Sequence, residues 1–174
     1  PFASPLVLLS GCVGFGEEYT RVVGFSNRDV GAICLKGTTG QPRLGNPLHL
    51  QGLALSHPHV PVVIPHFGAG LFREALMLGD VCPNVYLDTS SSNGWMKYTP
   101  GLTLVDVFRT ALEVMGADRL LFGSDSSFFP RGWVGRVLDE QLAAMTAAGA
   151  TPDQIALVTG GNLDRLFPVD APRR

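Results

Sequence analysis

The sequence predicts an α/β protein, a parallel sheet of about five strands flanked by helices. Three observations carry this. Short apolar runs alternate with segments of helical periodicity along the whole chain. The 174 residues are 45% hydrophobic and only 16% charged, as suits strands buried on both faces. Residues with useful chemistry stand where the apolar runs stop, the edge at which parallel α/β sheets bind ligands.

In order, the first strand is expected over residues 5–9, closed by Ser10-Gly11, with a short helix over 17–23. A second strand over 32–35 ends at Lys36-Gly37-Thr38. The Pro/Gly-rich segment 41–47 is the candidate internal boundary of a single domain. A helix over 48–55 and a turn at His57-Pro58-His59 precede a β-branched third strand over 60–64, which ends at Pro65-His66. Gly68-Ala69-Gly70 leads into a helix over 71–81, and a fourth strand over 85–87 ends at Asp88-Thr89. After a loop over 90–99 comes a helix over 102–115, then the fifth strand, Leu120-Leu121-Phe122, broken by Gly123 just before Asp125. A helix over 134–148 turns Val137, Leu138, Leu142 and Met145 inward. Thr151, Pro152 and Gln154 form a capping box opening another helix. Gly160-Gly161-Asn162 is expected to break the chain before a last helix over 163–167.

Charge and composition exclude several classes. A net charge of -2 and a pI near 6.1 leave no basic footprint for nucleic acid. No apolar run reaches the roughly 18 residues of a membrane span. The N-terminus has no charged region preceding its apolar run, and no initiator Met, so we expect a chain that begins inside a longer one. Cys12, Cys34 and Cys82 are scattered without CxxC spacing, which suits a reducing, cytoplasmic setting.

Ser10, Lys36, His66, Asp88 and Asp125 share the strand-end position. Of these, His66 and Asp125 are the best pair, since a His can ligate metal or move a proton and a carboxylate can bind metal or act as base. The plainer alternative is a His and an Asp that only cap local structure. His57 and His59 have HxH spacing but lie at the other end of the strand that His66 closes, roughly 23 Å away at about 3.3 Å per residue. Gly68, Gly70 and Asp88 imitate a dinucleotide fingerprint, but Arg73 stands where the third glycine belongs. Lys36 suits an anionic phosphate or a flavin edge, or is a surface lysine. Trp95, Tyr98, Phe128, Phe129 and Trp133 either cover a substrate pocket or pack on one another.

Two resemblances divide the chain. Gly45-Asn46-Pro47, the run from Val62 to Gly68, Asn84 to Ser90, Arg119 to Asp125 and Gly160 to Phe167 resemble the C-terminal part of amidohydrolase-related metal-dependent hydrolases and decarboxylases. That family is built on TIM barrels. The resemblance implies that His66, Asp88 and Asp125 end the sixth, seventh and eighth strands. It also implies that Asp125 binds a divalent metal (zinc or manganese) or handles the water proton, and that His66 is ligand or acid/base. Residues of about 4–47, through Ser10-Gly11, Gly14 to Tyr19, Gly31 to Thr39 and Pro42 to Pro47, are similar to the start of a dihydroorotate dehydrogenase. That implies FMN or orotate near Ser10, Gly11, Lys36 and Thr38.

The two meet near residues 43–47, as in a chimera. The HxH pair and mid-barrel ligand of the hydrolases have no counterpart here. Five strands are too few for a closed eight-stranded barrel, so the expectation is a partial TIM-barrel-like sheet whose exposed edges favour a homodimer. Its activity, on a small-molecule carbonyl substrate, would be incomplete in this chain alone. The alternatives are an FMN-binding fragment and an inert chimeric fragment.

Overall fold

The computed structural model describes residues 7–8, 32–33, 45–90, 94–125 and 134–167. The chain divides into two compact units, Pro1–Gly45 with Phe167–Arg174, and Asn46–Leu166. In the first, β1 (Val7–Leu8) pairs in parallel with β2 (Ala32–Ile33), Val7 opposite Ala32. Ser10, Gly11, Lys36 and Thr38 lie outside the described residues.

The second unit holds β3 (Val62–Ile64), β4 (Val85–Asp88) and β5 (Leu120–Leu121), parallel and in that order. Ile64 stands opposite Leu87, and Leu87 opposite Leu120. All five expected strands are present, and among the described residues the pairing within each unit is parallel, β1 with β2 and β3–β4–β5 in order. The third strand starts at Val62 rather than Val60. Pro61 has no N–H to pair, and the ladder opens with Val62 N–H donating to Asn84 O at 2.9 Å. That pattern turns the backbone groups of Val63 away from β4, toward an edge flanked by Pro61 and Pro65, neither of which can donate.

Asn46 caps the first turn of the second unit. Its side chain accepts from Leu48 N–H at 3.0 Å, with Pro47 at the first helical position. The turn Pro47–Leu50 runs on into α1 (Gln51–Ser56). Asn84 Nδ2 gathers the carbonyls of Ala54, His57 and Val60 at 3.2, 3.0 and 2.9 Å, so one side chain fixes the link from α1 to β3.

Three helices, α2 (Phe72–Val81), α3 (Leu104–Met115) and α4 (Gly135–Ala147), cover the sheet. Their Leu78, Phe108 and Met145 are buried in one core with Leu87 and Leu120. Arg119 ties two helix ends, donating to Gly79 O at 2.6 Å and Met115 O at 2.9 Å, where a cation complements the C-terminal dipole.

The capping box of Thr151 and Gln154 opens α5 (Pro152–Ala156) as expected. The glycines that follow do not break the chain. Leu157–Gly161 makes one wide π turn and continues into α6 (Asn162–Leu166). The wide turn presents Val158 O to Phe122 N–H at 2.8 Å, extending the pairing of β5. Asn162 Nδ2 holds Ala117 O and Leu120 O at 2.7 and 2.8 Å, locking the start of that strand. Among the described residues no helix is long and apolar enough to cross a membrane.

Candidate functional site

The three parallel strands deliver His66, Asp88 and Asp125 to one sheet edge, each just at or beyond the strand's last residue. Directly after β3 the chain winds into a left-handed coil. His66, Phe67 and Gly68 have φ of 59, 52 and 78, and Ala69 sits at φ 50, ψ -126. Among the described residues only His66, Phe67, Ala69 and Asp125 (φ 52) combine positive φ with a side chain. Such backbone costs on the order of 1–3 kcal/mol per residue and gathers at functional sites.

Fully buried Phe67 anchors the coil, meeting Phe72 and Phe108 edge-on at 5.9 and 5.3 Å. Trp95 packs on Phe72 with ring centres 5.8 Å apart and belongs to the core, whereas Tyr98 is 69% exposed. The other three loop aromatics, Phe128, Phe129 and Trp133, lie outside the described residues. His57 and His59 stand before β3, at the far end of the strand from His66, with ring centres 6.4 Å apart.

His66 Nδ1 lies 2.8 Å from Ser90 Oγ and 3.2 Å from Ser90 O. Ser90 in turn gives its backbone N–H to the Asp88 carboxylate. Gly123 makes this closeness feasible, since a Cβ there would fall 2.7 Å from Ser90 Cβ and 2.9 Å from Asp88 Oδ1. Between Asp88 and Ser90, Thr89 is clamped from α4. Its hydroxyl donates to Gln141 Oε1 at 2.6 Å, and its carbonyl accepts from Gln141 Nε2 at 2.7 Å. Sequence reasoning named His66, Asp88 and Asp125 but missed Ser90 and Gln141.

Asp88 is half-buried, yet its carboxyl tucks under Gly123 and loses water. Desolvation lifts its pKa above the ordinary 3.8, outweighing the Ser90 hydrogen bonds and the attraction of His66, with a small further rise from Asp125. Asp125 itself is exposed. The raised value has a definite sign for stability. Between 3.8 and the folded-state pKa the native protein holds a proton that the unfolded chain releases, so stability falls as pH rises through that window. In metal-free protein, Asp88→Asn should therefore gain stability relative to wild type over the same pH range. Urea titrations from pH 3 upward read this out, and a wild-type-minus-variant difference that stays flat, or moves the other way, contradicts it.

Among the described residues no three His, Cys, Asp or Glu side chains gather closely enough to hold a metal ion. His66, Asp88 and Asp125 do not by themselves form a metal site.

Comparison with known proteins bears on what this edge belongs to. Protein fluG of Emericella nidulans is 36% identical over 85 residues, 49% of this chain and 10% of that protein. The catalytic subunit of dihydroorotate dehydrogenase B (NAD(+)) of Bacillus caldolyticus is 50% identical over 44 residues, 25% of this chain and 13% of that protein. An amidohydrolase from Burkholderia multivorans, solved with bound Zn, superposes with a TM-score of 0.51 at 21% identity, covering 68% of this chain and 47% of its own. An uncharacterised TIM-barrel protein from Bordetella bronchiseptica gives a TM-score of 0.54 at 24% identity, covering 78% and 44%.

The chain thus spans a small part of these two relatives and just under half of these two barrels. The structural likenesses support the α/β, barrel-type fold, with strands and helices alternating around a parallel sheet. The amidohydrolase family model matches residues 38–169, a span that takes in β3, β4, β5 and His66, Asp88 and Asp125 at their ends. By that match over most of its length, the chain belongs to the amidohydrolase family.

Proposed function

We propose that this chain is the C-terminal portion of a metal-dependent hydrolase or decarboxylase acting on a small carbonyl compound, with His66 and Asp125 as its working pair. The observation that carries this is the coincidence of chemistry and strain. The His and the carboxylate that follow β3 and β5 are two of the four side-chain-bearing residues at positive φ among the described residues. In this reading His66 delivers or removes a proton at the substrate, and the exposed Asp125 carboxylate accepts a proton from water. A bound zinc or manganese ion would polarise the carbonyl and acidify water, with Asp125 as one ligand and His66 as a second in the alternative where its Nε2 does not carry the proton. The described residues do not complete that ligand set, so binding by this chain alone should be weak.

The dihydroorotate dehydrogenase match favours a second reading, in which a segment containing Ser10, Gly11, Lys36 and Thr38 holds FMN and the chain is a chimera joined near residues 43–47. One experiment separates the readings. The purified protein is titrated with zinc and, separately, with FMN, and bound metal and visible absorbance are measured. We expect zinc uptake that His66→Ala and Asp125→Ala each weaken at least tenfold, about 1.4 kcal/mol, and no retained flavin. Zinc uptake indifferent to both substitutions removes the first reading. A yellow protein establishes the second, and neither ligand bound leaves an inert fragment.

A further inference from the structure

We propose that Ser90 is a positioning residue that fixes neutral His66 as the Nδ1–H tautomer, so that Nε2 is the atom offered to substrate or metal. This rests on the reading of His66 as a functional residue. Two features place the proton. Ser90 O, 3.2 Å from Nδ1, is a carbonyl and can only accept. Ser90 Oγ, at 2.8 Å, has lone pairs that can share the same N–H. The carbonyl contact needs a hydrogen on Nδ1 and the hydroxyl contact accepts the same hydrogen, which leaves the lone pair of the neutral ring on Nε2.

Ser90 is itself held in place. It is 6% exposed, lies against Gly123, and follows Thr89, whose hydroxyl and carbonyl are both bound by Gln141. The arrangement supplies what an acid/base or ligating histidine needs from its surroundings, a second nitrogen tied to fixed acceptors so that the first has one defined role. It also opposes the preference of a free histidine side chain in water for the Nε2–H form.

Long-range proton–nitrogen NMR of the imidazoles, in metal-free protein and well above the ordinary histidine pKa of about 6.5, reads the tautomer directly. His66→Gln assigns the resonance. The Nδ1–H form should dominate at His66. Ser90→Ala, which removes only an oxygen atom, should shift the tautomer ratio about tenfold toward Nε2–H, as expected for one lost hydrogen bond, while the amide spectrum stays folded. A dominant Nε2–H form in the wild type overturns the proposal, and so does a ratio unmoved by Ser90→Ala. Because no metal or substrate is present, failure of zinc uptake would count against the proposed function while leaving this inference standing, and the reverse also holds.

Discussion

Replacing Gly68 with alanine is expected to lower the melting temperature by about 10 °C or more. Two separate costs combine. At φ 78 the residue occupies left-handed space, where a Cβ costs roughly 1–2 kcal/mol. The new Cβ would also fall 2.7 Å from Ala75 Cβ. That atom is fully buried on α2 and has no rotamer by which to retreat, so relief requires the coil or the helix to move, at about 1–3 kcal/mol. The sum is a large share of the roughly 5–15 kcal/mol that holds a domain together.

Gly101→Ala separates the terms. Its φ is 82 but nothing lies within 4 Å of the new Cβ, so it should show the backbone cost alone. Adding Ala75→Gly to Gly68→Ala should recover the overlap part, less about 1 kcal/mol for glycine in a helix. Thermal melts of the three variants beside the wild type decide the matter. Equal losses for Gly68→Ala and Gly101→Ala would mean that the coil does not press on α2.

The strand ends were legible because their signals are local. An apolar run stopping at His66, at Asp88 or just before Asp125 needs no knowledge of the rest of the chain. The helices over 71–81 and 102–115 follow from periodicity, and their observed starts differ by one or two residues, at Phe72 and Leu104. Thr103 explains the second shift. Its hydroxyl oxygen accepts from Asp106 N–H and its backbone N–H donates to the Asp106 carboxylate, a capping box closed by Asp rather than by the usual Glu or Gln.

The left-handed coil was not legible. Phe67 and Ala69 disfavour positive φ, and the burial of Phe67 between Phe72 and Phe108 helps to hold them there. Nor does a glycine pattern reveal that Gly68 faces Ala75 or that Gly123 makes room for Ser90. Those are contacts between elements far apart in sequence. The same holds for the polar partners. Ser90 reads as one serine in a serine-rich loop until the register of β3 and β4 brings it to His66.

Gln141→Leu is the other substitution expected to cost heavily, about 2–5 kcal/mol. The inward stripe of α4 is Val137, Gln141, Ala144 and Met145, with Leu138 and Leu142 only partly buried. The helix is rotated from the all-apolar face that periodicity suggests, and the rotation brings Gln141 to Thr89. Both residues are wholly buried. Leucine fills similar space but leaves the Thr89 hydroxyl proton and carbonyl without partners, and each such buried group costs about 1–3 kcal/mol. Urea unfolding measures the loss, and a change below about 0.5 kcal/mol would mean that the pair contributes little.

Gln141→Glu sharpens the test. A protonated carboxyl can accept from the Thr89 hydroxyl and donate to its carbonyl, as the amide does. An ionised one turns a second negative oxygen toward that carbonyl. The native state therefore retains the proton, and the Glu pKa is raised above its ordinary value of about 4.3. Its stability is then full below that value and lost as pH climbs through the folded-state pKa. Near pH 4 the variant should approach wild type, and well above neutrality it should match Gln141→Leu. Because Thr89 is the link between Asp88 and Ser90, the same loss should loosen the contact of Ser90 with His66, so the tautomer ratio at His66 should relax in step with the falling stability.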